Sequence, residues 1–161
     1  MINMTANEKP QRQLLTGSRL RSYAFALLTK REYSKAELLA KLGLHAADLQ
    51  EVEHLVEELS ENHYQSDQRV AELIVNSQIR RGKGPNRIKQ ALKDKQIDTL
   101  LIAEDLQEMD WAEQAYQLKV KKFGTAVAPD MKTKAKQIRF LQYRGFDMEA
   151  IMKAICRTTE E

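Results

Sequence analysis

The side chains best suited to binding chemistry in this sequence are basic and surround two closely spaced glycines, in the segment RRGKGPNRI at residues 80–88. Arginine and lysine side chains of this kind bind phosphate groups and carboxylates. The glycines resemble a phosphate-binding loop, but such a loop follows a strand and ends in Lys-Ser or Lys-Thr, and this segment has neither. We therefore interpret the glycines as the end of a helix.

Charge is sorted along the chain. Residues 48–61 carry six acids and no Lys or Arg, whereas residues 76–95 have a net charge of +6 and residues 119–144 one of +7. Large fields of a single sign attract a partner of opposite charge, here a nucleic acid or an acidic protein groove. A solubilising surface is the alternative explanation of the same charges.

The candidate partner-binding residues are the basic side chains that flank the expected helix ends in the two basic segments. They are Arg80, Arg81, Lys83, Arg87, Lys89, Lys136, Arg139 and Arg144. Arg144 has an alternative role, because a cation in the last turn of a helix interacts favourably with the helix dipole.

No residue pattern in the sequence indicates catalysis, a metal or a cofactor. His45, His54 and His63 are nine residues apart, so on a helix neighbouring histidines would point to opposite sides and could not share a metal. Cys156 lies in an apolar helical run beside Ile155, which predicts a buried thiol. We expect a protein that is not an enzyme and needs no cofactor.

Composition predicts an almost all-α protein. The 161 residues include only six glycines and three prolines, and Ala, Leu, Lys, Glu and Gln dominate. Residues 1–17 are polar, and we expect a disordered N-terminal tail there, because Leu14 and Leu15 form too short an apolar run for a signal peptide. No segment approaches the roughly 20 apolar residues of a membrane span. We therefore expect a cytoplasmic protein.

A sharp corner between two helices is predicted in FLQYRGFDMEAIMKAI, residues 140–155. Gly145 suits the position just after a helix, where φ is positive, and Asp147 can cap the next helix. Phe146 between them can pack on Ile151 as a hydrophobic staple.

This corner recurs along the chain. Asp48, Asp98 and Asp147 lie 50 and 49 residues apart, and each is followed by apolar residues four and eight positions later. Further helices are expected upstream of each corner, including longer ones at 19–31, 67–82 and 110–123. The pattern predicts three tandem three-helix repeats, at 18–64, 65–108 and 109–161, that form an elongated array.

Three segments resemble the RecX family of bacterial recombination regulators. They are YSKAELLAKL at 33–42, GKGPNRIKQAL at 82–92 and RFLQYRGFDMEAI at 139–151, within a resemblance that runs from about residue 18 to 157. The run Arg144-Gly145-Phe146 is the most specific element. The chain departs from the family pattern at Val70-Ala71, where the family usually has an aromatic residue before the alanine.

The resemblance implies a monomeric regulator that binds filaments of the RecA recombinase on single-stranded DNA. It implies inhibition of strand exchange, ATP hydrolysis and co-protease activity, with the DNA contacted directly or through the filament. The alternative is a sequence-tolerant DNA-binding protein of tandem helix-turn-helix-like units. The third helices are expected to begin DLQEVEH, DTLLIAE and DMEAIMK, and these acidic or apolar starts suit a phosphate-lined groove poorly.

Overall fold

The computed structural model describes residues 13–159, and the regular structure in that range is helical, with one isolated β-bridge between Leu15 and Ala46. The predicted all-α fold of three-helix repeats is confirmed. The helices are α1 (Gly17–Lys30), α2 (Lys35–Gly43), α3 (Leu49–Glu61), α4 (Asp67–Arg80), α5 (Pro85–Asp94), a 3-10 turn (Thr99–Ile102) that continues into α6 (Ala103–Glu108), α7 (Trp111–Phe123), α8 (Met131–Tyr143) and α9 (Met148–Cys156). Of these helices, none is long and apolar enough to cross a membrane.

The chain forms two compact units, one that ends at Gln65 and one that begins at Ser66. The first unit contains α1, α2 and α3, and their apolar faces share one core. Its fully buried leucines are Leu20, Leu38, Leu42 and Leu59. The start of α2 is fixed by a capping box, in which Ser34 and Glu37 each accept a backbone N–H of the other. The expected repeat boundaries stay a prediction.

The acidic helix α3 binds basic and polar groups of its own unit. A Glu51 carboxylate accepts hydrogen bonds from the Thr16 hydroxyl and the Gly17 N–H, which lie at the start of α1. Glu58 pairs with Arg21, and this hydrogen bond lowers the pKa of the Glu58 carboxyl. Part of the acidity of residues 48–61 is therefore used to hold α1 against α3.

The expected N-terminal tail is only partly covered by the structure. Residues 1–12 lie outside the described residues. At Leu15 the backbone N–H donates to the His45 carbonyl at 2.7 Å, and the Leu15 carbonyl accepts the Ala47 N–H at 2.9 Å. These bonds join the residues before α1 to the loop that follows α2.

The second unit contains α4 to α9 and has two apolar clusters. One is built from α4, α5, the 3-10 turn and α6, and the other from α7, α8 and α9. Trp111 packs against both clusters, and its Nε1–H donates to the Leu106 carbonyl at 2.8 Å. The first residue of α7 therefore links the second three-helix group to the third.

The predicted corners are present, with one difference at the third. Gly145 has φ of +98°, and Asp48 and Asp98 accept N–H groups of the helical turns that they precede. Asp147 occupies the N-cap position of α9, but its side chain accepts no N–H of that helix; its Oδ1 accepts the side-chain amide of Asn86 at 3.0 Å. The prediction that the Asp147 side chain caps α9 was wrong, because that side chain binds a residue distant in sequence instead.

The prediction of a buried Cys156 thiol was also wrong, since Cys156 is exposed. Ile151 and Ile155 are both buried, and they define the inner face of α9. Cys156 comes one residue after Ile155, which rotates its side chain by about 100° away from that face.

Candidate functional site

The site is built on close contact between two turns, one between α4 and α5 and the other between α8 and α9. The Gly84 N–H donates to the Arg144 carbonyl at 2.8 Å, and the Asn86 N–H donates to the Gly145 carbonyl at 3.0 Å. A β-carbon on Gly145 would lie only 2.5 Å from Cγ of Arg87. The contact therefore requires glycine at position 145.

Two arginines lock the same contact with their side chains. Arg87 donates from Nε to the Tyr143 carbonyl at 2.9 Å, and its guanidinium lies 4.6 Å from the centre of the Tyr143 ring. Arg144 donates from Nη1 to the Arg81 carbonyl at 3.0 Å. Both of these candidate binding residues therefore hold the second and third helix groups together.

The glycine loop does not present its backbone amides to a phosphate. The N–H groups of Gly82 and Lys83 donate to carbonyls of α4, and the amides of Gly84 and Asn86 donate across to the α8–α9 turn. A phosphate-binding loop needs such amides unpaired and convergent. The loop therefore ends a helix, as the sequence predicts, and it also packs against the α8–α9 turn, which the sequence did not predict.

A cleft of about 510 Å³ opens beside this contact. Its walls are the C-terminal end of α4, one face of α7 and the C-terminal end of α8. The lining residues are Ile79, Arg80, Arg81, Gly82, Gln114, Gln117, Leu118, Lys121, Lys122, Phe140 and Arg144. Gln114, Gln117 and Lys121 recur at helical spacing, which brings them to one side of α7.

The cleft has a strong excess of positive charge. Five cations line it, and no carboxylate belongs to the lining in the part of the chain that the structure describes. The ends of α4, α7 and α8 each contribute roughly −0.5 of an elementary charge, so together they offset roughly 1.5 of the five positive charges. A surplus of roughly +3.5 remains, so the cations carry more charge than is needed to neutralise the partial negative charges of the helix ends.

An aromatic ring stands among these cations. Phe140 is half-buried, and its ring centre lies 5.5 Å from that of Phe123 in an edge-to-face arrangement. Lys122 Nζ lies 4.7 Å from the centre of the Phe140 ring, and Cζ of Arg144 lies 5.2 Å from it. The ring therefore helps to fix two of the five cations.

The predicted binding residues separate into distinct groups. Arg80, Arg81 and Arg144 line the cleft, and Arg87 holds the contact between the turns. Lys83 is half-buried in the glycine loop. Lys89 is exposed and lines another cavity, next to Trp111. The remaining two, Lys136 and Arg139, are exposed on α8 outside the cleft lining.

Sequence reasoning missed several cleft residues. Lys121, Lys122, Gln114, Gln117 and Phe140 were not among the candidates. The lysines lie in the run KVKK at 119–122, which a search for clustered bases could have found. Elsewhere in the described range, no His, Cys, Asp and Glu side chains come together as a group that could hold a metal ion.

The comparisons with known proteins agree on one family. Residues 66–106 match the family model described as the second three-helix domain of RecX, and residues 108–155 match that of the third. A protein of Acinetobacter baylyi named "Regulatory protein RecX" is 69% identical over 147 residues, which cover 91% of this chain and 92% of that protein. A protein of the same name from Neisseria meningitidis is 35% identical, with 95% of each chain covered.

A solved structure supports the fold. The crystal structure of RecX from Lactobacillus salivarius matches with a TM-score of 0.73, 22% identity and coverage of 86% of this chain and 93% of that chain. At that identity the likeness concerns the fold alone, whereas the relatives named above are similar in sequence over nearly their full length. The chain therefore belongs to the RecX family of regulatory proteins.

Proposed function

We propose that this protein binds filaments of the RecA recombinase on single-stranded DNA and inhibits strand exchange, ATP hydrolysis and co-protease activity. Membership of a regulatory family supports a binding role. The observation that carries the proposal is the arrangement of exposed cations on the second unit around the contact between its two glycine turns. The inhibition itself needs no catalytic group, because occupation of a filament surface is sufficient.

The contact between the turns matters because it fixes the spacing of the cations. Arg80 and Arg81 lie at the end of α4 in the second helix group, and Lys136 and Arg139 lie on α8 in the third. Backbone hydrogen bonds at Gly84 and Asn86 join these groups without flexible side chains. A fixed set of positive groups can contact several negative groups of a polymer at once, and linked contacts strengthen each other through effective concentration.

A helix-turn-helix DNA-binding protein is less well supported. The third helices of the first and last groups carry acids in their first turns, Glu51 in α3 and Glu149 in α9. Glu51 is hydrogen-bonded to the start of α1, and Glu149 pairs with Lys153. Acidic first turns of this kind would be repelled by the phosphates that border a DNA groove.

The test measures the ATP hydrolysis of RecA on single-stranded DNA with increasing amounts of this protein. Lys136→Glu with Arg139→Glu should weaken the inhibition, and so should the triple reversal of Arg80, Arg81 and Lys83 to Glu. The control reverses Lys30 and Lys41, which are exposed in the first unit, and should leave the inhibition close to that of the unchanged protein. Surface changes of this kind usually alter stability by within about 0.5 kcal/mol each, so folding should be retained.

Binding to the filament must also be compared with binding to the bare strand at the same salt concentration, because phosphate contacts are strongly salt-dependent. Stronger binding to the filament supports the regulator. Equal binding to filament and strand, with no effect on ATP hydrolysis at saturating protein, would reject it in favour of the DNA-binding alternative.

A further inference from the structure

We infer that the cleft between the ends of α4, α7 and α8 is a nucleotide-binding site for a run of about three phosphate groups. The phosphates come from a single-stranded nucleic acid or from a free nucleoside polyphosphate, which share the same chemistry. This inference goes beyond the proposed function, because it concerns a ligand that binds in the absence of any recombinase.

The number of phosphates follows from the charge of the cleft. Five cations line it, and three helix ends offset only part of their charge, so roughly three to four positive charges remain uncompensated. Three consecutive phosphodiesters or one nucleoside triphosphate would supply a nearly equal negative charge. A single carboxylate would leave most of the surplus unpaired.

Three of the cations can reach a ligand without breaking a contact within the protein. The side chains of Arg80, Arg81 and Lys121 are exposed, and none of them makes an ion pair or hydrogen bond with another described residue. They come from opposite walls of the cleft, the end of α4 and the last turn of α7. Arg80 and Arg81 on one wall and Lys121 on the other could therefore donate charge-assisted hydrogen bonds to the same phosphate chain.

The remaining lining fits the rest of a nucleotide. The volume of about 510 Å³ falls within the usual range for small-molecule sites. The ring of Phe140 can contact a base or sugar, and the Gln114 amide can donate to or accept from base edges and hydroxyls. The Gln117 carbonyl oxygen can accept a further hydrogen bond, while its Nε2 donates to Glu113 at 3.2 Å. An acidic peptide would also use the cations, but it lacks a planar base to stack on the ring, so a polyglutamate peptide serves as a competitor in the experiment.

The experiment measures direct binding to the full chain without recombinase. A fluorescently labelled short oligothymidylate is titrated with protein, and its anisotropy is followed at several salt concentrations. Unlabelled ATP, inorganic tripolyphosphate, adenosine and a polyglutamate peptide are then added as competitors. ATP should displace the oligonucleotide more effectively than adenosine, because adenosine lacks the phosphates, and more effectively than tripolyphosphate, which lacks the base.

Charge-removing variants locate the binding. Lys121→Gln with Lys122→Gln should weaken oligonucleotide binding by about tenfold or more, the loss expected for one charge-assisted hydrogen bond. The salt slope should fall by about 0.7, the contribution of the one single-strand phosphate contact assigned to Lys121. The matched control, Lys93→Gln with Lys132→Gln, removes the same charge from exposed positions outside the cleft and should have little effect.

A second pair, Arg80→Gln with Arg81→Gln, tests the opposite wall and should weaken binding to a similar degree. Circular dichroism and melting temperature verify that every variant is folded. If the cleft pairs lose affinity for the oligonucleotide alone, the strand is the source of the phosphates; if ATP affinity falls too, the site also accepts free nucleoside polyphosphates. Either result supports the inference.

Four results would overturn the inference. The first is an equal loss in the control pair, which would mean that diffuse charge and not the cleft binds the ligand. The second is displacement of the oligonucleotide by adenosine, which has no phosphate, and the third is displacement by polyglutamate as effective as that by unlabelled oligothymidylate. The fourth is no binding of any phosphate ligand at low salt. None of these depends on whether RecA is inhibited, so the two proposals can fail separately.

Discussion

A β-carbon added to Gly84 would lie 2.6 Å from the carbonyl oxygen of Gly145, closer than real contacts of this kind. Gly84 itself has φ of −91°, a value that other residues adopt without strain. The glycine is thus required by the neighbouring turn and not by its own backbone conformation. This distinction makes the contact between the two turns testable by single substitutions.

Gly84→Ala should lower the free energy of unfolding by about 1–3 kcal/mol, because the added methyl group meets backbone that cannot move aside. Gly124→Ala is the matched control, since Gly124 has φ of +89° but open space around it and should show only a backbone cost of about 1 kcal/mol. Gly145→Ala combines both effects and should lose the most. Urea unfolding measures all three, and a Gly84→Ala variant as stable as the unchanged protein would rule out the contact.

Arg87→Lys should destabilise the protein by about 1 kcal/mol, because lysine cannot reproduce both the Nε–H bond to the Tyr143 carbonyl and the planar contact with its ring. Arg80→Lys is the comparison, since the Arg80 side chain makes no such contact with the described residues, and it should change stability by less than about 0.5 kcal/mol. Equal melting temperatures for both variants would show that Arg87 has no special structural role.

Asp130→Asn should make the protein less sensitive to acid. Asp130 Oδ1 accepts the Thr133 N–H at 2.7 Å, and this hydrogen bond is the main reason that the pKa of the carboxyl is lowered. The unfolded chain therefore takes up this proton at higher pH than the folded chain. The stabilisation is present above the unfolded pKa and is lost as pH falls through the folded pKa.

Asparagine caps helices about as well as aspartate but does not titrate, so the cap in this variant should survive at low pH. The measurement is the melting temperature of both proteins from neutral pH down to about pH 3, which spans the ordinary aspartate pKa. The two melting temperatures should be similar at neutral pH, and that of the unchanged protein should fall below that of the variant at the acidic end. Parallel curves would mean that the Asp130 cap contributes nothing to acid sensitivity.

Cys156 should react with a thiol reagent in the folded protein, because its side chain is exposed at the end of α9. It is the one cysteine of the chain, so the absorbance of released thionitrobenzoate reports on this position alone. Complete reaction is expected without denaturant. Reaction that begins only when the protein unfolds would restore the earlier expectation of a buried thiol.

Features that depend on nearby residues could be predicted from the sequence. The capping box at Ser34, the caps at Asp48 and Asp98 and the positive φ of Gly145 all follow from residue types within a few positions of each other. Composition likewise predicted the all-α fold, and the recurring caps with their apolar residues predicted its repeated three-helix groups. The agreement has a simple cause, since the interactions involved lie within single turns of the chain.

Features that depend on contacts between distant residues were decided by tertiary structure. Lys119 belongs to the basic segment in the sequence, yet its side chain is buried and donates to the Ala126 carbonyl at 2.9 Å. Burial lowers the pKa of this lysine, because the charged form loses hydration. A count of basic residues therefore overstates the charge that the segment presents at its surface.

The cleft is the clearest case of a feature that only tertiary structure decides. The sequence indicates that Arg80 and Lys121 each lie near the end of a helix, but not that these two ends face each other. The two ends meet because the two glycine turns contact each other. One of the hydrogen bonds that join the turns links Asn86 to Asp147, 61 residues later in the sequence. Local propensity sets where helices end, whereas close packing of backbone on backbone sets which ends meet.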